Sequence, residues 1–157
     1  MSKEVATDFL IIGYGNTLRR DDGAGPRVAD IVASWRLPNV RAIASHQLTP
    51  EMADALATAE VVIFVDAQHA DPHAQRPAGV TFTAIGAAED SAEAADTHMS
   101  DPRRLLALTK QIYGRCPQAW LVSVPGVDFD FGESLSEQAR QGVEVALRRI
   151  RLLFTSQ

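Results

Sequence analysis

The chain has 157 residues, 46% of them hydrophobic and 22% charged, the size and balance of one globular domain. Its net charge of −5 argues against binding to nucleic acid or to acidic membranes, because phosphate neutralisation needs clustered Lys and Arg. A single cysteine, Cys116, excludes an internal disulfide, and no long apolar stretch stands near the N-terminus, so a cytoplasmic protein with no membrane partner is expected.

Residues 9–13 (FLIIG) read as a first strand, since an apolar run without polar alternation fits a strand covered on both faces. Gly13-Tyr14-Gly15-Asn16 breaks it. A helix is expected over 23–35, with Val28, Ile31, Val32 and Trp35 at helical spacing. Residues 39–45 read as the second strand. Thr49-Pro50 is expected to open a second helix, with Thr49 as N-cap and Met52, Ala55, Leu56 and Ala59 facing inward. Residues 61–65 (VVIFV) form the most apolar run and are placed at the sheet centre, ending on Asp66.

Residues 67–79 contain Pro72 and Pro77 and show no helical pattern, and the next strand-like run, 80–85, alternates. A parallel crossover normally needs a helix between its strands, so the fourth strand is expected to run antiparallel. After the polar stretch 86–99, Asp101-Pro102 opens a third helix to Tyr113, with Leu105, Leu106, Leu108 and Ile112 on one side. Residues 119–124 (AWLVSV) read as the fifth strand. Ser134 with Glu137 resembles a capping box for a final helix to Phe154. Arg148, Arg149 and Arg151 read as a solvated face of that helix. No repeat or linker divides the chain, and 1–157 is taken as a single α/β domain.

In open α/β sheets, ligands bind outside the carboxyl ends of the strands. Asp21 and Asp22 follow the first strand, and Asp66 ends the third. His98 precedes the third helix, which must start at the carboxyl edge if the fifth strand is parallel to the first three. Two carboxylates and an imidazole with open positions suit a divalent metal, and this donor set does not choose between nickel, zinc and iron. Blander readings stand beside this one. Asp21-Asp22 can be a helix cap, and His98 can be a solvent-exposed histidine. His69 and His73 make a competing D-x-x-H-x-x-x-H cluster with Asp66, in a loop without fixed geometry. Gly13-Tyr14-Gly15 can open a dinucleotide fingerprint, although Leu18 takes the place of its third glycine.

The run LIIGYGNTLRRDDGAGPRVAD resembles the opening of the hydrogenase maturation endopeptidases: a strand, then G-x-G-N-x-L-x-x-D-[DE]-G-x-G, then a helix. His46-Gln47-Leu48 resembles the HQL motif of the branch that serves bidirectional, NAD-linked hydrogenases. The resemblance implies a three-layer α/β/α sandwich of the phosphorylase/hydrolase-like kind, with a five-stranded, mostly parallel sheet and one antiparallel strand. It implies Asp22, Asp66 and His98 as metal ligands and catalytic residues, with Asp in place of the frequent Glu at the first position. Asn16, Asp21, His46 and Gln47 are then expected to contact substrate; for His46 and Gln47 the blander reading is that they only order their loop. The implied partner is the large-subunit precursor of a NiFe hydrogenase, and the implied cofactor is nickel already inserted into that precursor. Two roles for the nickel stay open: activation of water, or verification of loading and positioning of the scissile bond. A non-catalytic nickel-sensing chaperone and a small nucleotide-binding oxidoreductase are the alternatives. A monomer is expected.

Overall fold

The computed structural model describes residues 7–76, 78–88 and 101–156. Five strands, β1 (Phe9–Tyr14), β2 (Val40–Ser45), β3 (Val61–His69), β4 (Thr81–Ile85) and β5 (Gln118–Gly126), form one sheet in the order β2-β1-β3-β5-β4. The first three strands and β5 are parallel, and β4 runs antiparallel to β5, as expected from the lack of a helical pattern in the sequence 67–79. Among the described residues, four α-helices flank the sheet: α1 (Ala24–Ser34), α2 (Ala53–Ala57), α3 (Pro102–Tyr113) and α4 (Glu137–Ser156).

Strand alternation divides the core into two halves. Phe9, Ile11, Val61, Ile63, Val65, Val122 and Val124 face α1 and α4, where Val28, Val32, Val143, Ala146 and Ile150 meet them. Leu10, Ile12, Val62, Phe64 and Ala119 face the other way, against Met52, Leu56, Leu105 and Leu106 of the α2 and α3 side. Both faces of β1 and β3 are thus covered, which is why their sequences read as unbroken apolar runs. Each fully buried Leu, Ile or Phe in these layers contributes roughly 1.5–3 kcal/mol relative to exposure.

Four expectations need correction. The third strand does not end on Asp66 but runs on to His69, because β5 extends to Gly126 and continues the ladder with it. The second helix is a 3-10 turn at Pro50–Met52 followed by five α-helical residues, with no side-chain cap from Thr49. Ala59 lies beyond it, although buried. The final helix is capped by Ser136, whose Oγ accepts from the Ala139 amide at 3.1 Å. Ser134 instead offers its carbonyl to Arg20 Nε at 3.1 Å. Lastly, Arg149 and Arg151 are not merely solvated, since their guanidinium groups stack on Phe82 and Trp35 at 4.1 and 4.7 Å. No helix among the described residues is long and apolar enough to cross a membrane.

From β1 the chain crosses to β2 on one side and later returns to β3 on the other. The topological switch point therefore falls between β1 and β3, where the carboxyl ends leave a crevice for a ligand.

Candidate active site

The loop that leaves β1 closes on itself. Gly15 has φ +147, and a Cβ there would sit 2.0 Å from the Asp22 carbonyl oxygen, so this position needs glycine for both conformation and space. The Asn16 amide donates to Asp22 Oδ2 at 2.6 Å, while Asn16 Oδ1 accepts from the Leu18 amide at 2.9 Å. Asn16 thus holds Asp22 through its backbone and orders the loop through its side chain. The start of α1 comes equally close to the strand ends: a Cβ on Gly25 would lie 2.3 Å from the Val65 carbonyl oxygen and 2.7 Å from that of Tyr14. The glycines of the first motif therefore bring a helix start and a carboxylate-bearing turn into the switch-point crevice.

Asp21 and Asp22 were candidates for a helix cap, but the N-cap of α1 is Gly23, with no side-chain bond. Asp21 is fully buried and works elsewhere. Its Oδ2 accepts from the Val127 amide at 2.8 Å, the Asp128 amide at 3.0 Å and the Ser136 hydroxyl at 2.7 Å, and its Oδ1 accepts from the Ser136 amide at 2.7 Å. Burial alone would raise its pKa, but the donors of Ser136, Val127 and Asp128 outweigh it and hold the carboxyl below its ordinary value. This is a clamp between the first loop and the β5–α4 connection. Both oxygens are committed to it, which corrects the expectation of a substrate contact. Arg20, between the clamp and β1, takes the left-handed φ of 45. It is held there by its amide on the Gly132 carbonyl at 2.8 Å and by an ion pair to Asp128 at 2.9 Å.

Asp66 stands on the α2/α3 face of β3, one step beyond the last β1 pairing, Gly13 with Val65. The Tyr14 hydroxyl donates to its Oδ2 at 3.0 Å, and its Oδ1 is buried without a hydrogen bond among the described residues. Burial raises the pKa of Asp66 above its ordinary value and the negative charge of Asp22 adds to this, while Tyr14 and Ser123 favour the ionised form. The Tyr14 phenol is likewise pushed up, first by burial and then by Asp66, with Asp101 adding to the effect. The charge of Asp22 therefore acts on Asp66 across the crevice, and that of Asp101, whose Oδ1 accepts from the Arg103 amide at the start of α3, acts on Tyr14.

Ser45 pairs with Tyr14, Ser123 with Asp66, and Thr81 with Ser123. Paired residues point to the same face of a sheet, so Ser45, Tyr14, Asp66, Ser123 and Thr81 form a row of oxygen-bearing side chains across all five strands, at the upper limit of the α2/α3-side core. The sequence reading missed Tyr14 and Ser123. The available signal was strand parity: Tyr14 shares the inward face of Leu10 and Ile12, so its hydroxyl needs a partner.

His98 lies outside the described residues. His46 and Gln47 are exposed just beyond β2, where the Ser45 hydroxyl donates to the Gln47 carbonyl at 2.8 Å, and Leu48 is buried in the core. The competing histidine cluster does not form: His69 stacks on Phe129 at 3.8 Å, and the His73 amide is engaged by Asp71. Among the described residues, no three His, Cys, Asp or Glu side chains gather as a metal site. Cys116 is half-buried beside the α2/α3-side core.

No family model matches the chain, and no curated protein matches it. Solved structures do. The NiFe hydrogenase maturation protease HycI from Thermococcus kodakarensis KOD1 is 22% identical with a TM-score of 0.71, over 97% of this chain and 95% of that one. The hydrogenase maturating endopeptidase HybD from E. coli is 19% identical with a TM-score of 0.72, over 96% and 93%. The hydrogenase 2 maturation peptidase from Thaumarchaeota archaeon SCGC_AB-539-E09 is 24% identical with a TM-score of 0.67, over 96% and 100%. At these identities the likeness establishes a shared fold over nearly all of each chain.

Proposed function

We propose that this chain is an endopeptidase that removes a short C-terminal extension from the nickel-loaded large-subunit precursor of a NiFe hydrogenase and recognises the inserted nickel. The observation that carries this reading is Asp66 Oδ1 at the switch point, buried and without a hydrogen-bond partner among the described residues, with the negative charge of Asp22 acting on the same carboxylate. An orphaned carboxylate oxygen costs free energy until a cation or donor meets it. A metal carried by another molecule supplies that partner. Asp22, Asp66 and the imidazole of His98 are the proposed ligands, and such a mixed oxygen and nitrogen set suits nickel among other divalent ions.

Asp101 acts on Tyr14 from the start of α3, and His98 stands three residues before it, a reach of up to about 10 Å of extended chain. Further support comes from the G-x-G-N…D-D-G-x-G run and from the names of the proteins that share the fold. The His46-Gln47-Leu48 run favours a precursor of the bidirectional, NAD-linked type. In the proposed mechanism Asp22 and Asp66 hold the nickel of the precursor, and His46, Gln47 and Asn16 border the approach of its chain. Binding would hold the scissile peptide at a fixed distance from an attacking water, and this proximity accelerates hydrolysis, in which water adds across the C–N bond to leave a carboxylate on the mature subunit and an amine on the released extension.

Incubation of the purified protein with nickel-loaded and nickel-free precursor, read by mass spectrometry of the precursor C-terminus, tests this. Cleavage of the loaded form alone is expected. Equal cleavage of both refutes nickel recognition, and a tightly bound but uncut precursor would make the protein a checkpoint chaperone.

A further inference from the structure

Asp66 offers two oxygens, and a carboxylate turns easily about its last torsion, whose wells are broad. A ligand that must meet a metal presented by another protein gains from being fixed beforehand. Two hydroxyl groups bear on this carboxylate, Ser123 from the neighbouring strand and Tyr14, and the one that donates to it at 3.0 Å is Tyr14, which no motif assigned to the site. Its ring packs against the apolar α2/α3-side core, on the same face of β1 as Leu10 and Ile12. Gly13 before it and Gly15 after it are pressed against backbone of α1 and of the Asp22 turn, where a Cβ would lie 1.9 Å from the Gly25 carbonyl oxygen and 2.0 Å from that of Asp22. The position of the phenol oxygen is therefore set by the sheet and not by a mobile loop. It lies 3.0 Å from Asp66 Oδ2 and leaves Oδ1 as the oxygen without a protein partner among the described residues.

We propose that Tyr14 is the positioning residue of the site, its hydroxyl pinning Asp66 through Oδ2 so that Oδ1 is the single oxygen presented to the metal of the precursor. This rests on the reading of Asp66 as a nickel ligand. Hydrogen bonds behind metal ligands orient them, and their loss typically costs about 10–100-fold in affinity or activity. The tyrosine touches neither the scissile bond nor the metal, so its effect is confined to how well the loaded precursor is told from the empty one. A tyrosine needed only for packing behaves differently: its ring matters and its hydroxyl does not.

The test uses the full chain and both forms of the precursor, with binding measured by calorimetry for the wild type, Tyr14→Phe and Asp66→Asn. Phenylalanine keeps the ring and removes the donor. The expected result is that Tyr14→Phe weakens binding of the nickel-loaded precursor by about tenfold and leaves binding of the nickel-free precursor unchanged. Asp66→Asn should abolish the difference between the two forms. If the wild type prefers the loaded form, Asp66→Asn loses that preference and Tyr14→Phe keeps it in full, the role of Tyr14 is refuted and the ligand reading stands. An equal loss of both affinities in Tyr14→Phe also refutes it, since that is the mark of a structural defect. If the wild type and Asp66→Asn bind both forms alike, the ligand reading itself fails.

Discussion

Asparagine at position 21 keeps the shape of the aspartate and removes its charge. The structure lets the cost be worked out. The amide must place its NH2 group at one of the two oxygen positions. At Oδ2 it would face the amides of Val127 and Asp128, two donors that cannot turn away; at Oδ1 it faces the Ser136 amide alone. The second choice is cheaper. It still loses one bond to a charged group, worth about 1.5–3 kcal/mol, and leaves a buried N–H without a partner. The remaining bonds weaken from charge-assisted to neutral. Together these give about 3 kcal/mol, or a Tm lower by about 6–12 °C for a chain of this length. Urea unfolding at neutral pH measures it, and a cycle with Ser136→Ala isolates the pair.

The pH dependence follows from the direction of the shift. The folded pKa of Asp21 lies below its unfolded value. Its stabilisation is therefore fully present above the ordinary carboxylate range near 4 and is lost as pH falls through the folded value. The gap between wild type and Asp21→Asn should hold from pH 7 to about 5 and close in stronger acid. A gap below about 1 kcal/mol at pH 7, or one that persists in acid, would show that the four hydrogen bonds do not hold the loop.

Asp66→Asn should shift stability the other way. Its folded pKa is raised, so the ionised carboxylate burdens the fold above that pKa and the burden disappears as pH falls to the ordinary carboxylate range. The variant should show a higher Tm than wild type at pH 7 and no advantage near pH 4, while cleavage of the nickel-loaded precursor falls by at least about tenfold; an unchanged or lower Tm at pH 7 counts against the strain. Gly25→Ala puts a methyl group 2.3 Å from a β3 carbonyl, and backbone cannot yield cheaply, so a loss above about 3 kcal/mol or failure to accumulate as folded protein is expected. Near-wild-type unfolding would mean that the helix start is not pressed against the strands. Leu105→Ala, in the buried seam of α3 against the sheet, should cost about 2–5 kcal/mol in the same assay, and a cost below 1 would mean the seam is loosely packed.

Much of this could be read along the chain. Unbroken apolar runs marked β1 and β3 because strands covered on both faces need them, and the absence of a helical pattern before residue 80 was enough to turn β4 antiparallel. The position of Asp22 and Asp66 at the carboxyl edge followed from the same order of elements. What could not be read was set by distant partners. The segment Asp66-Ala67-Gln68-His69 has no hydrophobic pattern of its own and is a strand because β5 runs beside it to Gly126. Ser136, not Ser134, caps α4, because its hydroxyl also has Asp21 to bind.

By itself, then, the sequence determined the kinds of element, their order and which acidic residues could reach one edge, since periodicity and turn chemistry are local. Tertiary structure alone decided that adjacent aspartates part company. Asp21 meets four donors from the far end of the chain and becomes a clamp, whereas Asp22 takes an amide of its own loop and acts by its charge on Asp66, which is left with an oxygen unmatched among the described residues. Hydrogen-bond partners supplied from more than a hundred residues away cannot be inferred from spacing, and they separate the residue that builds the site from those available to act in it.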